Sequence, residues 1–559
     1  MYGARAAVLG LRAALLALPA ALAGCVPEVE LSTPAVRAAA EGIRAEAIAG
    51  HMAVLADDAM EGREAGTAGY LKAAEYVASR FRELGLEGAG GDGGYFQRVP
   101  LRTSRPVPEG GLLVLERDEE ARPLTRGVHY LLRADLLREE TELSAPLSYV
   151  GFGVVAPRLG YDDYAGVDVR GKVIVMFSGA PASFPHNERA YFASSRVKMS
   201  NAVERGAVGL ISMLLPSKRR RSPWERSVRN STMARMRWID ETGRPHDVFP
   251  GIRVSARLGP EGMEALFEGS PVALVDVIAA AERGRPRPFD LPVRVRARAV
   301  SRLGSTESPN VAAVLRGADP ILKDQYVVFT AHLDHLGVGE PVDGDPIHNG
   351  AYDNASGVAM LLEVARAFRS MPAPPRRSLL FLAVTAEEKG LLGSDYFAHH
   401  PTVPMDAVVA DINLDMALML HPLVDVIAFG AEHSSLARPM ARAARRLGLR
   451  LSPDPVPEEV LFIRSDQYSF VRQGVPSLFV VSGWDPGDSG GEPGELEEAW
   501  LRDTYHSPGD DMSQEIDFEA GALFARANFL VGHVVANQTE PPRWKRGDFF
   551  GELFGRDRR

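Results

Sequence analysis

Between about residues 300 and 540 the chain alternates two textures. Near-continuous apolar runs at Tyr326–Ala331, Leu379–Thr385, Ala407–Leu414, Val424–Phe429 and Ser477–Val481 suit strands buried on both faces of a mostly parallel sheet, since a strand with one face in water alternates apolar and polar residues. Between the first two runs, Gly357–Phe368 carries a helical pattern. Strands alternating with helices predict a three-layer α/β/α sandwich with a mostly parallel central sheet. Upstream, residues 34–86 read as helices: Leu71, Ala74, Val77, Phe81 and Leu84 recur at spacings of three and four and make one apolar stripe, with Gly85 as its stop. Gly62–Gly66 reads as a turn and residues 87–94 as a loop. From about 105 to 295 the pattern changes to short strands and turns. Leu147–Ala156 and Lys172–Phe177 are strand-like, and Asn201–Leu215 is a short helix running into an apolar strand. This divides the chain into 25–104, the start of the α/β domain; 105–295, a β-rich insertion; 296–540, the rest of the α/β domain; and 541–559, a polar and aromatic tail expected to be peripheral.

Hydrophobic residues make up 45% and charged residues 24%, which excludes bulk disorder, a collagen-like chain and a polytopic membrane protein. The net charge of −10 argues against nucleic acid as a partner, because that affinity rests on neutralising phosphates. One cysteine in 559 residues excludes disulfide scaffolds and thiolate metal sites, so any bound metal must be held by His, Asp and Glu. The basic run Lys218-Arg219-Arg220-Arg221 reads as a solvated loop; the sharper alternative is an anchor for anionic lipid or cell-wall polymer.

Residues 1–24 have the layout of a secretory signal: Arg5 and Arg12, no acid, then an apolar stretch from Ala13 to Ala23 that is short for a membrane span. The sole cysteine, Cys25, follows at once, and Leu22-Ala23-Gly24-Cys25 resembles the lipobox of bacterial lipoproteins. The resemblance implies export, cleavage before Cys25 and its lipidation, with contact to the membrane through that lipid only. Val26 stands where an inner-membrane retention signal has Asp, which points to the outer membrane.

The candidate chemistry gathers at strand ends. His332 and Asp334 close the first apolar run, Asp353 precedes a helix start, Glu387 and Glu388 close the second run, Asp415 the third, and His506 lies in a late loop. In open α/β sheets, sites form beyond the carboxyl ends of the strands, and so many carboxylates on one rim need cations among them. Taking His332, Asp353, Glu388, Asp415 and His506 as ligands, three carboxylates and a hydroxide carry the charge that two Zn²⁺ cancel; cobalt or manganese would also suit this set. Without a thiol, an open catalytic site is expected. Asp334, two residues from His332 on a strand, can orient the other ring nitrogen of His332, and Asp510 can do the same near His506. Glu387 is left to move protons. His335 and His348 stand close by and read as structural.

Ala331-His332-Leu333-Asp334-His335-Leu336-Gly337, then Asn349-Gly350-Ala351-Tyr352-Asp353-Asn354-Ala355-Ser356-Gly357, then Ala386-Glu387-Glu388-Lys389-Gly390, Asn413-Leu414-Asp415-Met416 and Tyr505-His506-Ser507-Pro508 resemble, in order and wording, the dizinc aminopeptidase family, which also holds glutamate carboxypeptidases and glutaminyl cyclases. Tyr161-Asp162-Asp163-Tyr164, Gly171-Lys172-Val173 and Asn201–Gly209 look like the protease-associated domain that many members carry as an insertion. The resemblance implies a bridging Asp353, one zinc on His332 and Asp415, the other on Glu388 and His506, Glu387 as general acid/base, and a cis Asp353–Asn354 peptide. Tyr468 or Tyr505 could stabilise an oxyanion. Gln467 stands where many members have His, which puts a substrate contact there in doubt. The activity implied is an exported zinc exopeptidase acting on peptides, an aminopeptidase first, with a carboxypeptidase of acidic dipeptides or a glutaminyl cyclase as alternatives. A receptor-like protein with a decayed site is disfavoured, because all five ligands and Glu387 are present.

Overall fold

The computed structural model describes residues 28–219, 222–487 and 490–556. The secretory segment, Cys25 and two residues of the basic run, Arg220 and Arg221, lie outside the described residues.

The larger sheet is built around strand Tyr326–His332, which is flanked in parallel by Ser378–Val384 on one side and Val408–Asn413 on the other, with Ser477–Ser482 parallel beyond the latter. These are the expected apolar runs. Antiparallel strands extend both flanks: Phe289–Leu315 and Phe96–Pro106 on one, Asp425–Phe429 on the other. After the central strand the chain first moves to one neighbour and later returns to the opposite one. This reversal opens a crevice at the carboxyl ends of the strands, where ligands bind in such sheets.

Alternate residues of each strand face opposite layers, as a period of two requires. Val327, Phe329 and Ala331 pack with Phe381 and Ala383 against helices Ala45–Leu55, Ala68–Glu83, Ser356–Arg369 and Phe518–Asn537. Val328 packs with Leu380 and Leu382 toward Phe397 and Phe470 on the other face. The result is the three-layer α/β/α arrangement. Helix Ala68–Glu83 corrects the stripe read from sequence. Its buried face is Tyr70, Ala73, Ala74, Val77, Ala78 and Phe81, while Leu71 is 47% exposed. Gly85, at φ 67°, turns the chain out of the helix as expected.

A smaller sheet with its own core occupies much of residues 112–300. Gly209–Met213 lies parallel between Val173–Phe177 and Val254–Leu258, and Glu140–Tyr149 continues beyond Val173–Phe177. The two sheets share one strand. Phe289–Leu315 runs 27 residues without a break. Its first part pairs with Glu140–Tyr149 and Leu112–Arg117, its last part with Phe96–Pro106 and Ser378–Val384. The boundary drawn at 295/296 therefore falls inside a strand, not in a linker. Strand Arg235–Trp238, from within the expected insertion, pairs with Phe96–Pro106 of the larger sheet.

The tail is not peripheral. Asp548 caps a short helix, Phe549–Phe554, whose Phe550 is fully buried beside Phe462, Tyr468 and His433. Nor is the basic run simply solvated. Lys218 Nζ reaches Glu459 Oε1 at 2.8 Å and the Glu458 carbonyl at 3.1 Å, and Arg219 approaches the Met263 sulfur.

Candidate metal centre

Three strand ends and two loops bring the predicted side chains together. His332 is the last residue of the central strand. Its Nε2 lies 3.1 Å from Asp415 Oδ1 and 3.2 Å from Asp353 Oδ1. The other carboxylate oxygen of Asp353 faces away, 3.2 Å from His506 Nε2, which is also 3.0 Å from Glu388 Oε2. Asp353 thus stands between two donor sets. His332, Asp353 and Asp415 are buried, and one edge of the His506 side chain is open to solvent. His506 Nε2 makes no hydrogen bond of acceptable geometry although it is buried. Two imidazoles and three carboxylates aimed inward around a nitrogen without a partner form a donor set that fits zinc.

The turn before the helix Ser356–Arg369 explains how Asp353 reaches this position. Gly350 has φ 60°, and a Cβ there would lie 2.2 Å from the Asp353 carbonyl and 2.6 Å from the His335 ring, so no larger residue fits. The Asp353–Asn354 peptide is cis, as the family resemblance implied. Asn354 then locks the turn, donating to the Leu414 carbonyl at 3.0 Å and accepting from Gly357 N at 2.9 Å.

Asp334 and Asp510 have tasks other than those expected. The Asp334 carboxylate is 4.0 Å from His332 Nδ1, while its own main-chain carbonyl lies at 3.1 Å from that nitrogen. The carboxylate instead accepts the amides of Glu387 at 2.9 Å and Glu388 at 3.3 Å, fixing the turn that presents both glutamates. Asp510 is buried and accepts the amides of Tyr352 at 2.9 Å and Asp353 at 3.1 Å, so it positions the bridging aspartate and not His506. His335, read as structural, enters the site: its Nδ1 is 2.8 Å from Glu388 Oε1, and with Asp353 and Glu388 it forms a third group of converging ligand atoms.

The adjacent glutamates are driven apart electrostatically. Burial pushes the Glu387 carboxyl well above the usual range, reinforced by the charges of Glu388, Asp466 and Asp415 against the opposing pull of His332. Burial also acts on Glu388, but the His506 charge close by and the hydrogen bond with His335 pull it well below. Pairs of carboxyls pushed apart in this way divide acid and base work. Asp353 is held low despite burial and the Glu388 charge, by the close approach of the His332 and His506 rings.

The two tyrosines separate. Tyr505 stacks on His506, with ring centroids 3.8 Å apart, and the charges of Asp353 and Glu388 act on its hydroxyl. Tyr468 is buried near Phe550, and its hydroxyl responds to burial first and then to Tyr191 and Arg196. Gln467 is fully buried and spends its amide on Asn413 Nδ2 and the Phe462 carbonyl; it supports the strand leading to Asp415 and does not face a substrate.

Arg63 was invisible as a functional residue. It lies beneath the site, fully buried, and donates to the carbonyls of Leu333, Leu55, Asn349 and Gly350. The only sequence signal was its place in the Gly62–Gly66 turn.

A cleft of about 1280 Å³ opens over His506 and Tyr505. One wall comes from the larger sheet, with Met416, Leu418, Phe479 and Arg464, and the other from the smaller, with Tyr191, Arg196 and Lys218.

Residues 310–530, which carry every converging side chain above except Arg63, match the family model of peptidase family M28. That segment is therefore similar to the family M28 peptidases over about two fifths of the chain's length. The fold is similar to that of an aminopeptidase from Aneurinibacillus sp. strain AM-1, at TM-score 0.53 and 20% identity, covering 90% of this chain and 95% of that one. Among curated relatives, the chain is 37% identical over 86 residues to aminopeptidase YwaD of Bacillus subtilis (strain 168), covering 15% of this chain and 18% of the relative. It is 38% identical over 107 residues to a probable zinc metalloprotease of Pyrenophora teres f. teres (strain 0-1), covering 19% and 22%. The matched segments thus span about a fifth of those curated relatives.

Proposed function

We propose that this chain is a zinc-dependent aminopeptidase that holds two metal ions across Asp353 and removes amino-terminal residues from peptides. The observation that carries the reading is the division of Asp353: Oδ1 faces His332 and Oδ2 faces His506. Asp415 completes the first set and Glu388 the second. The family match and the printed names of the relatives support the activity. Zinc, when bound, polarises a peptide carbonyl and eases deprotonation of water.

The remaining steps fall to the chain's own residues. Glu387 is buried beside this set, and burial raises its affinity for a proton; its carboxyl takes a proton from the attacking water and returns it to the leaving amine. Asp334 fixes Glu387 through its amide, and the cleft orients the peptide. Tyr505, stacked on His506, is the better placed of the two tyrosines to donate to the developing oxyanion. A carboxypeptidase of acidic dipeptides would need an uncommitted cation in the cleft. Among the described lining residues, Lys218 pairs with Glu459, Arg196 with Asp247 and Arg472 with Asp395, while Arg226 and Arg237 donate to main-chain carbonyls.

Glu387→Gln tests this. The variant keeps all five ligands and should retain its zinc, while hydrolysis of an aminoacyl anilide falls by about 10²–10⁴. Glu388→Gln should instead lose zinc from one site. Turnover of Glu387→Gln within about tenfold of wild type would exclude the assigned role.

Export and lipid anchoring are proposed from residues 1–25 alone, with the outer membrane as destination. Cys25→Ser should release the protein from the membrane fraction or leave it unprocessed. A soluble wild-type chain with an unmodified amino terminus other than Cys25 would refute the anchor.

A further inference from the structure

A second group of imidazoles and a carboxylate lies apart from the central site. Asp395 and His399 are four residues apart on helix Leu392–His399, which begins just after the Glu387-Glu388 turn. At this spacing two side chains share a helix face. His246 comes from the segment between strands Arg235–Trp238 and Val254–Leu258, and its amide donates to the Trp238 carbonyl at 2.7 Å. His246 Nε2 is 3.8 Å from Asp395 Oδ2, His399 Nδ1 is 3.6 Å from Asp395 Oδ1, and the imidazole rings are 5.0 Å apart. One ligand atom from each residue lies within 4.8 Å of the other two. Tetrahedral zinc with bonds of about 2.0–2.1 Å holds its ligand atoms roughly 3.3–3.5 Å apart, so separations of up to 4.8 Å close with at most about 1.5 Å of side-chain movement.

Three features prepare these groups for a cation. Trp238 stacks on His246 at 3.9 Å and 12°, which fixes the ring plane, and His246 Nε2 is buried without a hydrogen-bond partner. His399 Nδ1 lies 2.7 Å from the Asp395 carbonyl. A proton held there makes Nε2 the ligand atom, the arrangement usual for metal-binding histidines, and Nδ1, 3.6 Å from Asp395 Oδ1, then serves to orient the ring. Asp395 also accepts from Trp238 Nε1 at 2.8 Å through Oδ2 and from Arg472 Nη1 at 3.0 Å through Oδ1. Each oxygen retains a second lone pair, and these two donors hold the carboxylate toward the histidines. The two imidazoles are 25% and 30% exposed, leaving a path for an ion and room for water as a further ligand.

We propose that His246, Asp395 and His399 form an additional divalent-cation site, selective for zinc by its two imidazoles and one carboxylate. It clasps the segment between Arg235–Trp238 and Val254–Leu258 to the helix that follows the catalytic glutamates. Its role is structural: it holds one wall of the cleft, where Asp247 and Arg472 stand, against the helix leading from the proposed proton carrier.

The test is a zinc count by difference on the full chain, which makes it independent of how many ions the central site holds. Wild type, His246→Phe and His399→Ala are equilibrated with Zn²⁺ alone, freed of excess by gel filtration and analysed by atomic emission. His246→Phe preserves an aromatic ring on Trp238 and removes the ligand; circular dichroism verifies folding. Each variant should carry one zinc ion per chain fewer than wild type, with anilide turnover at saturating zinc unchanged within about twofold. Added Zn²⁺ should raise the melting temperature of wild type more than that of either variant. Equal zinc contents in all three proteins, or a loss in only one variant, would overturn the site.

Discussion

Four main-chain carbonyls converge on the guanidinium of Arg63, from Leu55, Leu333, Asn349 and Gly350. Two of these flank the turn that holds Asp353, and one follows His332, so a single side chain ties the helix bundle to both ends of the metal centre. Burial lowers its pKa to about 10, with Asp510 and Asp334 among the charges that oppose the shift, so it remains a cation at neutral pH. Arg63→Met should leave three buried carbonyls unpaired, those of Leu55, Leu333 and Asn349, at about 1–3 kcal/mol each, while the Gly350 carbonyl keeps the Ala355 amide at 3.1 Å. The expected outcome is a sharp fall in soluble yield and melting temperature. Arg63→Lys should recover only part, because an ammonium lacks the planar fork. A methionine variant that melts with wild type would remove Arg63 from this role. The contrast with the proposed ligands is instructive. The convergence of His332, Asp353, Glu388, Asp415 and His506 was legible because strand ends in an α/β sheet meet on one rim. Arg63 was not legible, since an arginine in a glycine-rich turn reads as surface until the carbonyls it satisfies are known. His335 was read as structural for a similar reason. Nothing in its spacing from His332 reveals that the Gly350 turn presses its ring toward Glu388.

At the scale of elements, the apolar runs located the strands of the larger sheet to within a residue or two, because a strand buried on both faces leaves few polar interruptions. The same reading failed for the tail. Phe549–Phe554 is too short for its periodicity to register, and its burial depends on a cap and an ion pair supplied from elsewhere. His433 is central to that docking. Its Nδ1 is 2.7 Å from Asp548 Oδ2, and its Nε2 is 3.2 Å from Glu432. Burial would lower its pKa, but hydrogen bonds with Asp548 and Glu432 outweigh it and raise the value to about 9. A folded-state value above the ordinary one of about 6.5 means that this stabilisation is fully present below about pH 6.5 and is lost as pH rises through about 9. Wild type should therefore melt above His433→Gln at pH 7, by an amount on the order of 2–3 kcal/mol in stability, and the gap should shrink toward pH 10. Melting curves of the two proteins across that range check this; a gap independent of pH would mean that the proton on His433 does not hold the tail. The alternating residues Val293, Val295, Ala297 and Ala299 were equally open to reading, since they are buried while Arg296 and Arg298 between them pair with Glu116 and Glu140. Their pattern announces a strand, but not that it continues unbroken into a second sheet.

At the scale of the molecule, the cleft is a joint product of both sheets. Lys218 crosses it to Glu459, and Arg226 reaches the carbonyls of Leu501 and Arg502 while its guanidinium lies 5.7 Å from the Tyr505 ring. The smaller sheet therefore does more than shade the entrance, because it touches the aromatic that stacks on His506. The strand Phe289–Leu315 gives this closeness a consequence for unfolding. A domain joined through a flexible linker can melt while its neighbour stays native. Here, disordering the smaller sheet removes partners from the first half of a strand whose second half borders Ser378–Val384, so the free-energy cost is felt in both cores at once. Urea should unfold the chain in a single transition, with fluorescence from Trp224 on the side of the smaller sheet and Trp238, Trp484, Trp500 and Trp544 on the other changing together. Amide exchange along residues 289–315 should report one shared opening free energy; two separated transitions would show that the strand breaks near its middle. An insertion that shares a strand with its host cannot be lost or exchanged as a cassette. Any descendant of this chain that discarded it would have to rebuild the edge of the larger sheet in the same event.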